Sequence, residues 1–143
     1  MTIYIRADRT SNITIANATY EIRSGRPEER AALVALEISL VTAATVTLGL
    51  GRPAAIGITP TSPQLVQALN STDSAGTTAT AMAWGTGPTV PAQFLKRWTF
   101  ILAGPQTIHY QFVRPIIIPA SGSLVLWNIT ASVLLDVNIV IDE

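Results

Sequence analysis

The side chains of this sequence that could carry acid–base or metal chemistry are few and widely spaced. His109 is the only histidine, and it lies between Ile108 and Tyr110 within an alternating apolar run. That setting favours an ordinary strand residue over a general base or a metal ligand, although spacing alone leaves a serine–histidine–aspartate arrangement open. No Gly-x-Ser-x-Gly motif is present to place a nucleophile on a strand-to-helix turn.

The acidic residues do not form a catalytic pair by their spacing. Asp136, Asp142 and Glu143 lie near the end of the sequence, where a solvated strand end accounts for them and a Ca²⁺ site would need more oxygen ligands from elsewhere. Glu28 and Glu29 fit a solvated turn or a helix start better than an acid–base pair. With no cysteine to supply thiolate ligands, the sequence predicts no enzyme activity, no metal and no cofactor.

Two further features have competing explanations. The segment Gly49-Leu-Gly-Arg-Pro53 has two glycines, but it leads into proline and lacks the third glycine of a dinucleotide-binding loop. Trp84, Trp98 and Trp127 could form a platform for a sugar ring, or they could be packing residues. Trp98 shares the parity of an apolar strand face and is predicted to be internal. Trp127 is either exposed or buried under a neighbour.

The elements that would hold these residues are short strands. The last third of the chain contains four alternating apolar runs separated by glycine, proline and serine. These runs begin at Trp98, Thr107, Ser123 and Leu134. A period of two places successive side chains on opposite faces of a strand, and strands at this spacing predict an antiparallel sandwich or barrel. Similar alternation predicts strands over about 32–42 and 46–50.

Residues 1–143 are predicted to form one domain with two distinct segments. Residues 1–10 alternate like a strand and are predicted to form an N-terminal arm, which is tied into its own sheet or reaches a neighbour's. Residues 51–92 are rich in proline, glycine and threonine and are predicted to form a long loop insertion. One or two helical turns could form over residues 62–69, and Ser24 could cap a second short helix.

The segment from 123 to 129 is apolar on both faces. Leu124 and Leu126 share one parity, and Val125, Trp127 and Ile129 share the other. Such a pattern is typical of a strand buried on both sides. In a two-layer sandwich only one side is core, so the other must be covered by a loop or by a second subunit.

Composition favours association. Charged residues make up 13% of the chain against about 25% in typical domains, and the mean hydropathy is +0.39. A folded monomer of this size exposes roughly 7,000 Å², so either threonine and serine cover what the charges leave bare, or apolar faces are buried in an oligomer. The cations are scattered without interleaved aromatic residues, and no apolar run reaches the ~20 residues of a membrane span. Neither nucleic acid nor a membrane is therefore a predicted partner.

Three stretches together resemble small β-sandwich proteins in the virions of tailed bacteriophages. They are Gly49-Leu-Gly-Arg-Pro53, the Thr/Pro-rich middle with Pro88-Thr-Val-Pro91, and the pair Gly122-Ser-Leu-Val-Leu-Trp-Asn128 and Asp136-Val-Asn-Ile-Val-Ile-Asp-Glu143. The chain is similar there to capsid decoration (cement) proteins and to jelly-roll domains of head or tail fibres. The resemblance implies an all-β, jelly-roll-like antiparallel sandwich of about eight strands, located in the virion. It also implies a homo-oligomer, often a trimer, attached to the major capsid protein or another virion protein, without enzyme activity.

The residues also predict how such a subunit would bind. Burial of apolar area at about 25 cal/mol per Å² would be joined by strand addition from the arm to a neighbouring sheet edge. Seven side chains are predicted to contact the partner. They are Ile3, Tyr4 and Ile5 in the arm, Leu65, Val66 and Trp84 in the insertion, and Trp127 on the second face of its strand. The alternative function is a tail or fibre module that binds a carbohydrate or a receptor.

Overall fold

The computed structural model describes residues 2–11, 17–25, 30–131 and 133–143, which form thirteen strands. Their bounds are β1 Ile3–Arg9, β2 Asn17–Arg23, β3 Ala31–Leu40, β4 Val46–Gly51, β5 Ile58–Pro60, β6 Gln64–Leu65, β7 Gln67–Ala68, β8 Ala79–Ala81, β9 Trp84–Thr86, β10 Phe94–Phe100, β11 Thr107–Ile118, β12 Ser123–Asn128 and β13 Leu135–Asp142. The described residues contain no helix long and apolar enough to cross a membrane.

The eight longer strands form two antiparallel layers. Sheet A has the order β11–β3–β13–β1, and sheet B has the order β10–β4–β12–β2. Numbered one to eight along the chain, these strands give the orders 1-8-3-6 and 2-7-4-5. That connectivity is the two interlocked Greek keys of a jelly roll. The predicted all-β antiparallel sandwich is therefore confirmed.

In the alternating strands, the apolar residues at every second position face the space between the two sheets. Leu135, Val137 and Ile139 of β13 are at most 1% exposed, while the polar residues between them lie on the outer face of sheet A. Trp98 and Phe100 of β10 fill the same core from sheet B, as their parity predicts. The strand predicted over 32–42 is β3, and the one predicted over 46–50 is β4.

The arm predicted at residues 1–10 is not free over its described part, because β1 lies inside sheet A. It pairs with β13 along its whole length, from Ile3 opposite Asp142 to Arg9 opposite Asp136. Its other side pairs with β7 at Tyr4 and Ile5. Of the two predicted outcomes, the structure therefore has the strand tied into its own sheet.

The insertion at 51–92 extends both sheets. β8 and β6 lengthen sheet B beyond β2, β7 lengthens sheet A beyond β1, and β5 with β9 forms a separate two-stranded sheet. Val66 lies between β6 and β7, where the chain passes from one sheet to the other, and it is only 2% exposed. This crossing closes one side of the sandwich.

The helix predicted over residues 62–69 is wrong. Ser62 has a φ of 48°, in the left-handed region rather than the extended region of a helix cap. The backbone groups that follow are taken by neighbouring strands, since Gln64 and Leu65 pair with β8 and Gln67 and Ala68 pair with β1. The helix predicted after Ser24 falls on residues 26–29, which lie outside the described residues.

Candidate functional site

His109 stands on the open outer face of sheet A. Its side chain is 63% exposed, and its Nδ1 atom lies 3.5 Å from Oε2 of Glu37. Asn138 Nδ2 donates to the other oxygen of Glu37 at 2.8 Å. Among the described residues, no serine or threonine hydroxyl lies within hydrogen-bonding distance of His109. His109, Glu37 and Asn138 thus form a flat, solvated strip of paired side chains on the outer face of sheet A.

The acidic residues are mostly held by single basic partners. Arg9 contacts Asp136 through two nitrogens, at 2.7 and 2.9 Å, on the same outer face. Within the described ranges, no group of three or more histidine, cysteine, aspartate or glutamate side chains is placed to hold a metal ion.

The second face of β12 is covered by this chain's own insertion. Trp127 and Val125 form a small outer cluster with Ala18, and Trp84 and Phe94 pack against this cluster. Trp127 is 9% exposed and Val125 is 0% exposed as a result. Of the two covers that the sequence predicts for this face, the structure has the loop.

Glu21 attaches the insertion to sheet B. The side chain is completely buried, and its Oε1 atom accepts hydrogen bonds from Gly57 N–H at 3.1 Å and from Ser123 Oγ at 2.7 Å. Its Oε2 atom accepts from Trp84 Nε1 at 2.7 Å, and Arg23 lies 3.8 Å away. Hydrogen bonds to a charged, buried acceptor are the strong ones, so this carboxylate fixes both halves of the insertion over β12.

Asp8 joins sheet A to sheet B between β1 and β2. It lies on β1 and accepts hydrogen bonds from Arg6 at 2.8 Å, Tyr20 Oη at 2.7 Å and Thr80 Oγ1 at 2.8 Å. Burial acts to raise the pKa of Asp8, but these three donors outweigh it and lower that pKa below the usual value. Burial, and then the adjacent carboxylate, raise the pKa of Tyr20 well above its ordinary value, so the phenol keeps its proton and donates it.

The lowered pKa of Asp8 predicts acid lability. A carboxylate whose pKa is lower in the folded protein stabilises it above the unfolded pKa of about 3.9, and this contribution is lost as the pH falls further. The pKa of Glu143 is lowered in the same sense: burial acts to raise it, but hydrogen bonds from Thr77 and Thr78 prevail. We expect the urea midpoint to be nearly constant from neutral pH to about 5 and to fall steeply below about 4.

The variant Asp8→Asn provides the control for this prediction. It is expected to be less stable at neutral pH and to lose less stability on acidification, because one of the carboxylates with a lowered pKa is gone. The measurement is a urea denaturation series followed by tryptophan fluorescence. An equally steep loss in the variant below about pH 4 would contradict the assignment to Asp8.

Three of the seven predicted partner-contacting side chains belong to the protein's own packing. Tyr4 and Val66 lie in the main core, at 6% and 2% exposure, and Trp127 lies in the outer cluster. The insertion and β7 cover the faces that these three side chains occupy. Their assignment to a partner surface is therefore corrected, and they are packing residues of this chain. Trp84 is half-buried and donates its indole N–H to Glu21.

The remaining three predicted residues are open to solvent. Leu65 is 54% exposed, Ile5 is 40% exposed and Ile3 is partly exposed, all on the side of the sandwich where β1, β6 and β7 lie. The structure brings these three to one side, as an interface would require. Tyr4 and Val66 lie on the same side but point into the core, and Trp84 and Trp127 lie over the outer face of sheet B.

The opposite side of the sandwich carries a groove that the sequence analysis missed. β10 and β11 are the outermost strands of the two sheets there, and an open groove of about 410 Å³ runs between them. We call it the β10–β11 groove. It is lined by Arg52, Leu95, Lys96, Tyr110, Phe112, Pro115, Ile116 and Ile117.

A bulge in β11 opens this groove. The pairing of β11 with β3 shifts register between Gln111 and Ile116, so the residues between them leave the ladder. Val113, within that stretch, is 100% exposed, and Leu95 and Ile117 are each 46% exposed. The sheet edge therefore presents apolar side chains to solvent.

Three cations lie at this groove. Lys96 lies 4.7 Å from the centre of the Tyr110 ring. Arg52 donates to the carbonyl of Ile117 at 3.1 Å, and Arg114 is exposed at the bulge. Among the described residues, none of these three forms an ion pair with a carboxylate.

Comparisons of the chain with protein-family models, with curated proteins and with solved structures returned no match.

The β10–β11 groove could not be found from spacing along the chain. Its cations come from three separate segments, at Arg52, at Lys96 and at Arg114, and only the jelly-roll order places those segments side by side. One sequence signal was available, since Arg114-Pro115 interrupts an alternating run and proline within a strand marks an edge or a bulge.

Proposed function

We propose that this chain is a structural virion protein, a capsid decoration subunit that associates with copies of itself and stabilises the shell by burying apolar surface. The observation that carries the proposal is the β10–β11 groove, where the edge strands of the two sheets expose Leu95, Val113 and Ile117. Proteins that remain monomeric protect such edges, and exposed apolar patches mark interaction sites. The jelly roll is also an architecture that viral capsid proteins use repeatedly.

The proposed mechanism combines burial of apolar surface with strand addition at β11 rather than at β1. β1 has partners on both sides, so its transfer to a neighbour would require breaking its pairing with β13. β11 is the outer strand of sheet A, and its edge facing away from β3 pairs with no strand in the described part of the chain, so a strand from a partner can add there. Binding of the folded subunit to a shell then stabilises both by mass action.

The carbohydrate-binding alternative is less well supported. A sugar platform needs an open indole face, and Trp98 and Trp127 are only 6% and 9% exposed. Trp84 packs against the outer cluster and uses its N–H to bind Glu21. The tryptophans are better explained as packing residues, which favours the decoration function.

Light scattering tests the self-association. At micromolar concentration we expect a mass several times the 15.2 kDa of one chain, with a trimer as the favoured species. The variant Leu95→Asp places a charge in the β10–β11 groove and is expected to weaken association at least about tenfold, because that charge must be desolvated on binding.

Val90→Asp is the matched control, since Val90 is 55% exposed but lies in the insertion, outside the groove lining. It should leave the mass unchanged. Co-sedimentation with empty shells of a phage that carries this chain tests the second half of the proposal. A chain that stays monomeric and does not bind the shells would refute it.

A further inference from the structure

A second groove lies on the side of the sandwich opposite the β10–β11 groove. It has a volume of about 280 Å³ and is lined by Thr2, Ile3, Leu69, Asn70 and Asp73. We call it the β1–β7 groove. Leu69 is 64% exposed, and Ile5 and Leu65 are exposed nearby. Both lateral edges of the molecule therefore combine a shallow groove with exposed apolar side chains.

The two grooves have opposite charge. Among the described residues, the carboxylates without a basic partner are Asp73, Asp142 and Glu143. Asp73 lines the β1–β7 groove, Asp142 is opposite Ile3 in the β1–β13 ladder, and the backbone of Glu143 pairs with Thr2. Arg6 is nearby, but its guanidinium is neutralised by Asp8. The carboxylate of Glu143 accepts hydrogen bonds from Thr77 and Thr78, so Asp73 and Asp142 give this edge its negative charge, as Arg52, Lys96 and Arg114 give the other edge its positive charge.

The two grooves also lie at the same level of sheet A. Ile117 is opposite Ala32, Ala32 is opposite Asp142, and Asp142 is opposite Ile3. These four residues form one row across β11, β3, β13 and β1. Three strand spacings of about 4.8 Å separate its ends by roughly 14 Å. A copy set beside the molecule along this row would bring the β1–β7 groove of one copy to the β10–β11 groove of the other.

We propose that copies of this chain associate head to tail, with the basic β10–β11 groove of one copy docked on the acidic β1–β7 groove of the next. The occupant of each groove is thus a second copy of the chain. This inference rests on the self-association in the proposed function and adds which surfaces meet and in what orientation. The chain has a formal net charge of zero, so the attraction comes from the separation of charge between the two edges.

Charge opposes the two-fold alternative. A symmetric dimer through the β10–β11 groove would bring Arg52, Lys96 and Arg114 close to their own copies, and like charges facing each other oppose association. A head-to-tail contact avoids this repulsion. It is heterologous, and repeated heterologous contacts close into a ring when the rotation between copies permits. A trimeric ring is the simplest closed form of this contact with more than two members.

The inference is tested by reversing one charge at each edge separately and then by combining the two substitutions in one variant. Arg114 and Asp73 are exposed and make no ion pair, so their substitution leaves the fold intact. Arg114→Glu alone and Asp73→Lys alone are each expected to raise the dissociation constant at least about tenfold. The double variant restores the attraction with its sign reversed, so association should return towards the wild-type value. Sedimentation velocity measures all four proteins, and a thermal melt of each confirms folding.

The control matches the charge change away from both grooves. The double variant Thr42→Glu, Ala43→Glu alters the net charge by as much as Arg114→Glu, in an exposed connection at the far end of β3. It should associate as the wild type does. Added salt should weaken the wild-type oligomer, because the Debye length shortens to about 3 Å at 1 M.

The outcomes separate this inference from the proposed function. If the wild type associates but neither reversal weakens it, or the double variant shows no recovery, the head-to-tail contact is wrong and the proposed self-association stands. If the wild type is monomeric at every concentration, the proposed self-association fails and this inference fails with it. A monomer that binds heparin through Arg114 would also overturn the inference, in favour of an anionic polymer as the occupant of the β10–β11 groove.

Discussion

Replacing Trp127 with alanine is expected to lower the free energy of unfolding by about 3 kcal/mol or more while leaving self-association unchanged. Trp127 is 9% exposed and packs with Val125 and Ala18 beneath Trp84 and Phe94. The substitution leaves a large cavity between sheet B and the insertion, and the surrounding side chains can only partly fill it. A partner-contacting tryptophan would behave in the opposite way, with a stable fold and weakened association.

The measurement is a pair of urea denaturation curves, accompanied by light scattering of the folded variant. Val113→Ala is the control for an exposed apolar residue, since Val113 is 100% exposed and its truncation should change stability by less than about 0.5 kcal/mol. If Trp127→Ala were as stable as the wild type but monomeric, Trp127 would have to contact a neighbouring copy, and its cover by the insertion would be wrong.

The central sandwich could be predicted from the sequence because its strands obey a strict period of two. Leu135, Val137, Ile139 and Ile141 occupy alternate positions, and all four are buried in the core. The same logic predicted a strand buried on both sides at 123–129, and β12 is buried at every residue. Such positions are determined by local pattern and by burial alone, which is why they are recoverable without knowledge of the topology.

The cover over β12 could not be predicted, because it depends on contacts between segments far apart in the chain. Only the glycines of β4 gave a sequence signal for it. A Cβ atom on Gly49 would lie 2.4 Å from a ring carbon of Phe94, and one on Gly51 would lie 2.6 Å from Pro91. Glycine within a strand pattern marks the close approach of another part of the structure, and here that part is the segment leading into β10.

The distribution of charge between the two edges could not be predicted from the sequence either. Nine cations and nine carboxylates spread along 143 residues give no run of either sign. The jelly roll places β10 and β11 together at one edge and β1 and β7 at the other, and this separates Arg52, Lys96 and Arg114 from Asp73 and Asp142. A property that depends on strand order in space has no counterpart in linear spacing, so the two grooves became visible only with the fold.

Removing the carboxylate of Glu21 is expected to release the insertion from sheet B. Glu21→Ala leaves three donors without their acceptor, namely the N–H of Gly57, the hydroxyl of Ser123 and the indole of Trp84, and it leaves Arg23 without its counter-charge. Loss of one partner from a buried charged network destabilises by about 3–5 kcal/mol, mainly because the remaining groups stay buried and unpaired. We therefore expect a loss of that size in urea denaturation.

The site of the damage distinguishes this prediction from a general loss of stability. Because Glu21 holds Gly57 and Trp84, limited proteolysis of Glu21→Ala should cut first within residues 52–92, and Trp84 fluorescence should shift to the red before the global transition. Glu21→Gln keeps the shape of the side chain but turns an amide donor towards donors, so it should be damaged in the same place and to a smaller extent. Glu37→Gln, at a side chain 37% exposed on sheet A, is the matched control and should change stability by less than about 0.5 kcal/mol. Cleavage spread evenly over the chain in Glu21→Ala would show that the carboxylate stabilises the whole sandwich rather than holding the insertion on β12.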